Sequence, residues 1–521
     1  MRRKLTFFML LLSLISLNVN AQFTDRYWCF GDSAGIDFIN LNNPIAGESI
    51  LRARGTCASI CDSVGNLIFY GGSPNIDIWI PPNPPYTYNY GYLVNKQHHK
   101  ISNGDSLVSA LWYQEMLILP KPGNLQQFYV FTAGVTSSSN NQGLYYNVVD
   151  MSLNNGSGYV LQKNVQLLNF RISDALAAVK HGNGRDWWLL CKSWDPASAM
   201  NDFYLYLVSP AGISGPFHQN IGFPSNSGSF QRNEFTKDGQ LLYSCAGDNL
   251  IERYSFDRCS GLLSNVAQLS PATTSGNYKT YWSLAISPDG SKMYTTSILQ
   301  GAFPYKSYLV QYDLNAPNFL ASADTLRTSI VPDELGCIQM GPDNKIYVSS
   351  MWNGGDCAFD YLYCDTTWNT VNSNLSVINA PDSLGAACDF QPFSFSLGGH
   401  RTYVGLPNNP NYELGPWVGG GCDSLTVGIA EEVIVMPKLF IYYNNDWQTA
   451  YINAQQLKGK KGLLQIFSIS GALLYQIEAP IYNGYFTSNV NMAPYASELF
   501  IAKLTTDKEM LTVKFTKAWA N

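Results

Sequence analysis

The chain has 521 residues, of which 13% are charged and 14% are aromatic, and it contains 43 glycines and 26 prolines. Its formal net charge of −6 is small for this length. Lys460–Lys461 is the longest basic run beyond the N-terminal segment, so a nucleic-acid partner is not expected. Many short strands with Gly-, Pro- and Asn-containing turns give this composition, whereas helical bundles do not. We therefore expect an all-β protein with more than one domain.

The first residues form a secretory signal. Three basic residues at 2–4 precede an apolar run over 5–17, and Val19 and Ala21 place small residues before a cleavage site at Gln22. The apolar run is too short to cross a bilayer, and no other stretch of 18 apolar residues follows. We predict a signal peptide over 1–21, no transmembrane span in the mature chain, and secretion to the cell surface or the medium.

A strand–turn–strand unit recurs along the next 380 or so residues. Its turns are spaced by 51 to 61 residues and are centred on Gly65, Gly123, Gly184, Gly239, Gly290 and Asn344. Sheets of this kind cannot bury their own faces, so they stack in a ring. The pattern predicts a seven-bladed β-propeller over 22–405, with six or eight blades as alternatives. We expect the two ends to share one blade, with the mature N-terminus paired close to residue 390.

The segment 406–434 is rich in Gly, Pro and Asn. This composition predicts a linker between the propeller and a C-terminal domain, although the segment could instead pack on the propeller's flank.

The C-terminal region 435–521 contains the runs "GKKGLLQIFSISGALLYQ" and "ASELFIAKL" and ends in "VKFTK". This pattern resembles the type A C-terminal sorting domain of the bacterial type IX secretion system. The usual opening Pro-Asn-Pro is missing, and Glu498-Leu499-Phe500 replaces the usual Gly-x-Tyr. The resemblance implies a small β-sandwich that directs export by the type IX machinery. Matching the motif to this chain gives recognition or folding residues, namely Gly471, Leu499, Phe500, Lys514 and Phe515.

The propeller region carries a second resemblance. "WCFGDSAGIDF" (28–38), "GNLIFYGG" (65–72) and "FYVFT" (128–132) are similar to blocks of propeller-bearing surface proteins of type IX-secreting bacteria, often described as gliding motility-associated. The resemblance implies a propeller architecture and export to the cell surface. It supplies no catalytic residues.

No catalytic, metal or cofactor site is predicted. Ser33 lies in a Gly-x-Ser-x-Gly run, but no histidine precedes it, and a turn between two strands explains it better. The aspartates at the repeated turns suit hydrogen bonds to their own backbone better than calcium binding. The sequence therefore favours a non-enzymatic protein.

Aromatic residues are the candidate ligand contacts. Trp194 and Trp352 each follow a strand, where an exposed ring can stack on a sugar or anchor a protein. The alternative is packing between blades.

All 11 cysteines lie beyond residue 21, and secretion permits disulfides. Proximity in sequence suggests the pairs Cys57–Cys61 and Cys357–Cys364, whereas several cysteines could simply be buried thiols.

These features predict an exported β-propeller that binds glycan or protein partners, for adhesion or scaffolding. One alternative is a secreted glycan-active hydrolase with its site at the central channel. A carboxylate cluster around the axis would favour that alternative, and an apolar plug would favour binding. The other alternative is a structural part of the surface or motility machinery.

Overall fold

The computed structural model describes residues 23–74, 90–109, 114–134, 142–194, 201–225, 231–273, 275–276, 278–301, 304–352, 367–423, 438–444, 448–455, 457–482, 484–496 and 499–517. These parts of the chain are all-β. Short 3-10 helices occur at Asn154–Gly156, Leu320–Ser322 and Gly385–Cys388. The signal peptide and the Cys357–Cys364 pair predicted from the sequence lie outside the described residues.

The first sheet has six antiparallel strands in chain order. They are β1 (Tyr27–Phe30), β2 (Asp32–Asp37), β3 (Ile45–Cys61), β4 (Leu67–Pro74), β5 (Tyr90–Asn95) and β6 (Leu107–Val108). The long strand β3 pairs with β2 along its first half and with β4 along its second half.

Five four-stranded antiparallel sheets follow, each with its strands in sequence order. The second sheet contains β7 (Met116–Pro120), β8 (Gln127–Ala133), β9 (Leu144–Asp150) and β10 (Tyr159–Leu168). The third contains β11 (Ala177–Lys180), β12 (Trp187–Lys192), β13 (Asp202–Ser209) and β14 (Gly212–Asn220). The fourth contains β15 (Gln231–Phe235), β16 (Leu241–Ala246), β17 (Ile251–Asp257) and β18 (Leu262–Ser270). The fifth contains β19 (Lys279–Ile286), β20 (Lys292–Leu299), β21 (Lys306–Asp313) and β22 (Asp324–Ile330). The sixth contains β23 (Asp333–Met340), β24 (Ile346–Trp352), β25 (Asn374–Ile378) and β26 (Phe390–Ser396).

This arrangement is a β-propeller. The inner strands of neighbouring sheets, which are the first strands of the later sheets and β3 of the first, contact one another, as β3 with β7, β11 with β15, β15 with β19, and β19 with β23. They therefore surround a common axis, while the later strands of each sheet lie further out. Apolar side chains fill the spaces between sheets, so each sheet buries its faces against its neighbours.

The repeated turns lie where the sequence predicts them, between the first two strands of the repeating units. All six turn residues have positive φ, between 62° and 90°. Glycine and asparagine adopt this conformation at the lowest steric cost, which explains their recurrence. The turn aspartates bond within their own turns. Asp289 Oδ1 accepts hydrogen bonds from the Ser287 hydroxyl at 2.8 Å and the Ser291 backbone N–H at 2.8 Å.

The first hairpin contacts the chain that follows the sixth sheet, but it does so at Arg401 and not close to residue 390, because Phe390–Ser396 pairs with β25 instead. Residues 401–414, which we call the axial segment, enter at the end of the propeller opposite the repeated turns. There, Asp32 and Arg401 form a β-bridge and an ion pair. Trp28 of the first hairpin packs edge-to-face on Tyr347 of β24, with ring centroids 5.7 Å apart. Ser33, with a φ of 62°, lies in this first hairpin.

The axial segment then runs between the first and sixth sheets. The backbone N–H of Gly405 donates to Arg54 O at 2.9 Å, and the N–H of Cys337 donates to Val404 O at 2.8 Å. A Cβ added at Gly405 would lie 2.0 Å from Gly55 O, so only glycine fits this approach. The segment predicted as a linker from residue 406 is therefore buried at its start, because its backbone hydrogen-bonds to an inner strand.

The C-terminal region forms two further antiparallel sheets. The strands are β27 (Lys438–Asn444), β28 (Thr449–Gln455), β29 (Lys461–Ser468), β30 (Leu473–Pro480), β31 (Phe486–Asn491), β32 (Leu499–Thr505) and β33 (Met510–Thr516). One sheet has the order β27-β28-β31, the other the order β30-β29-β32-β33, and their buried side chains form a single cluster. Tyr485 touches the third propeller sheet, where its hydroxyl lies 3.0 Å from His181 Nε2.

Candidate ligand-binding site

A cavity of about 260 Å³ lies at the end of the axis where the repeated turns gather. Its walls come from the inner strands β11, β15 and β23, from the residues before β1, and from the end of the axial segment. The apolar part includes Leu117, Val179 and Phe235, and the polar part is rich in asparagine and glutamine. Such a mixture of apolar wall and few placed polar groups is typical of small-ligand sites.

Arg232 crosses the axis next to this cavity. Its side chain is 3% exposed, and its Nη2 donates to Gln339 Oε1 at 2.6 Å and to Glu234 Oε2 at 2.9 Å. Arg232 therefore links the fourth sheet to the sixth. Burial raises the pKa of Glu234, and the charge of Arg232 opposes this rise.

Asparagines of the axial segment hold another wall in place. Asn408 Nδ2 donates to Leu176 O at 3.0 Å, and the Asn408 backbone N–H donates to Cys57 O at 2.9 Å. Asn409 Oδ1 accepts from the Ser59 N–H at 3.1 Å. The Tyr412 hydroxyl donates to Ile118 O at 2.7 Å. These bonds bring the run "PNNPNY" into the site.

Asp25 is the most perturbed carboxyl group of the cavity. Its Oδ1 accepts from Trp28 Nε1 at 2.9 Å and from Asn409 Nδ2 at 2.5 Å. The pKa of Asp25 is raised from 3.8 to about 7, mainly by burial and to a smaller extent by the charge of Glu413, while the hydrogen bonds from Asn409 and Trp28 oppose the rise. Asp25 can therefore both hold and release a proton near neutral pH.

Asn233 supplies an unused acceptor. The residue is 1% exposed, and its Nδ2 donates to Ala175 O at 3.0 Å. Its Oδ1 is buried and has no hydrogen-bond partner among the described residues. A buried polar atom of this kind is costly unless a water or ligand satisfies it.

Two further buried ionic groups near the axis pair with each other. Lys192 and Glu252 form a buried ion pair of 3.3 Å between the third and fourth sheets. Within the described ranges, no group of three or more His, Cys, Asp or Glu side chains could hold a metal ion.

The structure places the predicted ligand-face tryptophans away from this cavity. Trp194 follows β12 and Trp352 ends β24, so both lie toward the opposite end of the propeller. Both rings are half-buried, and Trp194 has the Arg171 guanidinium 5.3 Å from its ring centroid. A ligand role at that end stays a prediction.

The predicted Cys57–Cys61 disulfide is wrong. Both residues lie on β3 as free buried thiols, and two residues four apart on an extended strand are too distant to bond. The disulfide of the described chain joins Cys259 to Cys422. The cysteine that follows the axial segment is thereby fixed to the fourth sheet.

The predicted sorting residues occupy neighbouring strands or their turn. Gly471 lies in the β29–β30 turn with a φ of 86°. Phe500 and Phe515 are buried register partners whose rings stack at 5.2 Å, whereas Lys514 is exposed and Leu499 is half-buried. The aromatic pair therefore stabilises the domain, and the exposed lysine is available to a partner.

The fold defines a protein of the β-propeller class. No protein-family model matches the chain, and no curated protein matches it. Among solved structures, the periplasmic gluconolactonase PpgL of Pseudomonas aeruginosa is similar at 12% identity and a TM-score of 0.42, covering 69% of this chain and 93% of its own. The β-propeller domain of Swd1 from Myceliophteria thermophila has 13% identity and a TM-score of 0.32, covering 62% and 92%. An endo-arabinase from Bacteroides thetaiotaomicron has 11% identity and a TM-score of 0.29, covering 47% and 90%.

In the described part of the chain, no helix has the length and hydrophobicity needed to span a membrane.

The raised pKa of Asp25 predicts a pH-dependent stability. Between the unfolded value near 3.8 and the folded value of about 7, the folded chain holds a proton that the unfolded chain has released. Stability should therefore fall as pH rises through this window. A shift of three pKa units corresponds to about 4 kcal/mol in the free energy of unfolding. Partial exposure of Asp25 reduces this contribution to roughly 1–2 kcal/mol. Asp25→Asn should lack this loss and be the more stable protein at pH 8, as measured by urea unfolding from pH 4 to 8. Parallel pH profiles of stability for the two proteins would contradict the raised pKa of Asp25. Asp105→Asn serves as the control, because Asp105 is exposed.

Proposed function

We propose that this protein is a secreted or cell-surface binding protein, whose propeller presents the cavity at the turn end of its axis to a glycan. The observation that carries the proposal is the cavity itself. It combines an apolar wall with a buried acceptor, Asn233 Oδ1, that lacks a partner among the described residues. Sugar rings offer an apolar face and many hydroxyl donors, which suits both features.

The architecture within this proposal is a seven-bladed propeller followed by a C-terminal β-sandwich. Six inner strands surround the axis, and the axial segment lies beside Cys337 and Arg54 in a seventh position. The pairing of this segment with the first hairpin supports the shared closing blade. The single core between the two C-terminal sheets supports the sandwich.

Binding is tested directly by a glycan array with the mature full-length chain. We expect signal from a restricted set of glycans, and loss of that signal in Asn233→Leu, which removes the acceptor and blocks the cavity. Asp105→Asn should bind as the unchanged protein does. An array without any specific signal would contradict the glycan-binding role.

Export by the type IX secretion system is the second part of the proposal. The sorting motif and the exposed Lys514 beside the Phe500–Phe515 pair support it. Deletion of 437–521 should leave the propeller in the periplasm, as measured by fractionation and immunoblotting. Asp105→Asn in the intact chain should be exported normally. Unchanged export of the shortened chain would remove the sorting role.

A glycan-active hydrolase is the second candidate function, because Asp25 and Glu413 line the same cavity. A carboxyl group with a pKa of about 7 could serve as a general acid. In that case the glycans that bind would also be cleaved, and Asp25→Asn would abolish cleavage while retaining binding. Bound glycans recovered intact after prolonged incubation would leave binding as the function.

A further inference from the structure

Three acceptor oxygens of the cavity residues make no hydrogen bond within the described parts of the chain. Asp25 uses Oδ1 for its two hydrogen bonds, and Oδ2 makes none within the described residues. Glu234 uses Oε2 for Arg232, and within the same ranges its Oε1 makes no hydrogen bond. Asn233 adds its buried Oδ1. Three oxygen atoms, two of them on carboxyl groups, are thus available to a ligand.

The arginines at the cavity are already paired with carboxylates, Arg232 with Glu234 and Arg26 with Asp37. Arg26 forms a two-pronged ion pair with Asp37, at 3.0 and 3.1 Å. Lys237 is exposed at the rim, where its ammonium donates to Asn344 Oδ1 at 2.9 Å and is held away from the buried acceptors. A ligand that enters therefore gains most by bringing its own N–H donors and positive charge.

The remaining surface suits one sugar ring better than a flexible side chain. Leu117, Val179 and Phe235 offer a broad apolar wall for a pyranose face. Gln339 Oε1 accepts a hydrogen bond from Arg232. Its Nε2 makes no hydrogen bond to another described residue, so this amide N–H can donate to a sugar hydroxyl. A metal ion does not fit, since no candidate ligand group of sufficient size exists in the described chain.

We propose that the cavity selects an amino sugar with a free, protonated amine, which Asp25, Glu234 and Asn233 recognise together. This inference rests on the proposed glycan-binding function and names the ligand class of the same site. The amine would lie against the two carboxyl groups, and the ring would lie on the apolar wall.

The test uses a matched pair of ligands on the mature full-length chain. Calorimetric titration at pH 7 compares a chitosan tetrasaccharide, which carries free amines, with the chitin tetrasaccharide, whose amines are acetylated. Because a charge-assisted hydrogen bond replaces a neutral contact, chitosan should bind about tenfold more tightly or better. In Asp25→Asn, the amide keeps an oxygen for Trp28 and Asn409 but cannot take up the negative charge that a bound ammonium group favours. The preference for chitosan should then largely disappear, while Asp105→Asn keeps it.

The outcomes separate this inference from the function on which it rests. Chitin binding as tightly as chitosan would overturn amine recognition and leave glycan binding in place. A lysine-rich peptide that binds more tightly than chitosan, with the same loss in Asp25→Asn, would overturn the sugar assignment. If no glycan of any kind binds, both proposals fail. The ligand comparison needs no variant, so a poorly folding variant does not prevent a decision.

Discussion

Replacing Arg401 by alanine should lower the free energy of unfolding by about 3–5 kcal/mol, the range for breaking a buried ion pair. The Arg401 side chain is 5% exposed and that of its partner Asp32 is 16% exposed. The guanidinium also lies 4.3 Å from the centroid of Trp368 and donates to Thr367 O at 3.1 Å. Alanine would leave a partly buried carboxylate without its counter-charge at the contact between the two ends of the ring.

The measurement is chemical unfolding followed by tryptophan fluorescence, with limited proteolysis to detect a ring that opens locally. Lys163→Ala is the matched control, because it breaks the more exposed Lys163–Asp105 pair of 3.5 Å and should cost no more than about 1 kcal/mol. The double variant Asp32→Ala/Arg401→Ala should lose less than the sum of the two single variants. Additive losses would show that the pair does not couple the two ends.

Local signals in the sequence predicted the repeated hairpins well. A tight reversal needs a residue that tolerates positive φ. Glycine or asparagine therefore recurs at regular spacing in the sequence, as at Gly65, Gly123 and Asn344. The all-β class followed from the same turns together with the apolar runs that flank them. These features depend on residues that are close in sequence, so a single chain is enough to recognise them.

Composition predicted a linker over 406–434, but composition describes a chain's freedom only when nothing binds its backbone. The run "PNNPNY" resembles a linker, yet Asn408 and Asn409 hydrogen-bond to inner strands far away in the sequence. Asparagine suits both roles, since its amide satisfies either water or a buried backbone group. Only the ring geometry shows which role applies.

The candidate cavity was missed for a related reason. Asp25, Asn233 and Asn409 lie in separate parts of the chain and come together only because the ring closes. Motifs of adjacent residues, such as the run around Ser33, give no signal for a site of this kind. A better signal is a run of polar residues within an inner strand, as in β15, where Arg232 and Asn233 are buried and Glu234 is half-buried.

Removing the Cys259–Cys422 disulfide should cost about as much stability as breaking the Arg401 pair. The bond closes a loop with a sequence separation of 163 residues. A loop of this size gives about 5 kcal/mol in the chain-entropy model, whereas removal of a disulfide more typically costs 2–4 kcal/mol. Cys422→Ser should therefore lower the unfolding midpoint strongly, and reduction of the unchanged protein should lower it by a similar amount.

The effect should extend to the cavity, because the disulfide fixes the chain that follows its wall. Between the axial segment and Cys422, the Trp417 N–H donates to Gly182 O at 2.8 Å, and Arg258 Nη2 donates to Gly415 O at 2.6 Å. Without the covalent bond, these contacts must hold residues 415–422 alone, so proteolysis there should begin before the propeller unfolds. Cys259→Ser/Cys422→Ser should match the single variant, because both lack the same cross-link. If reduction changed neither the midpoint nor the cleavage pattern, the cross-link would not restrain this segment.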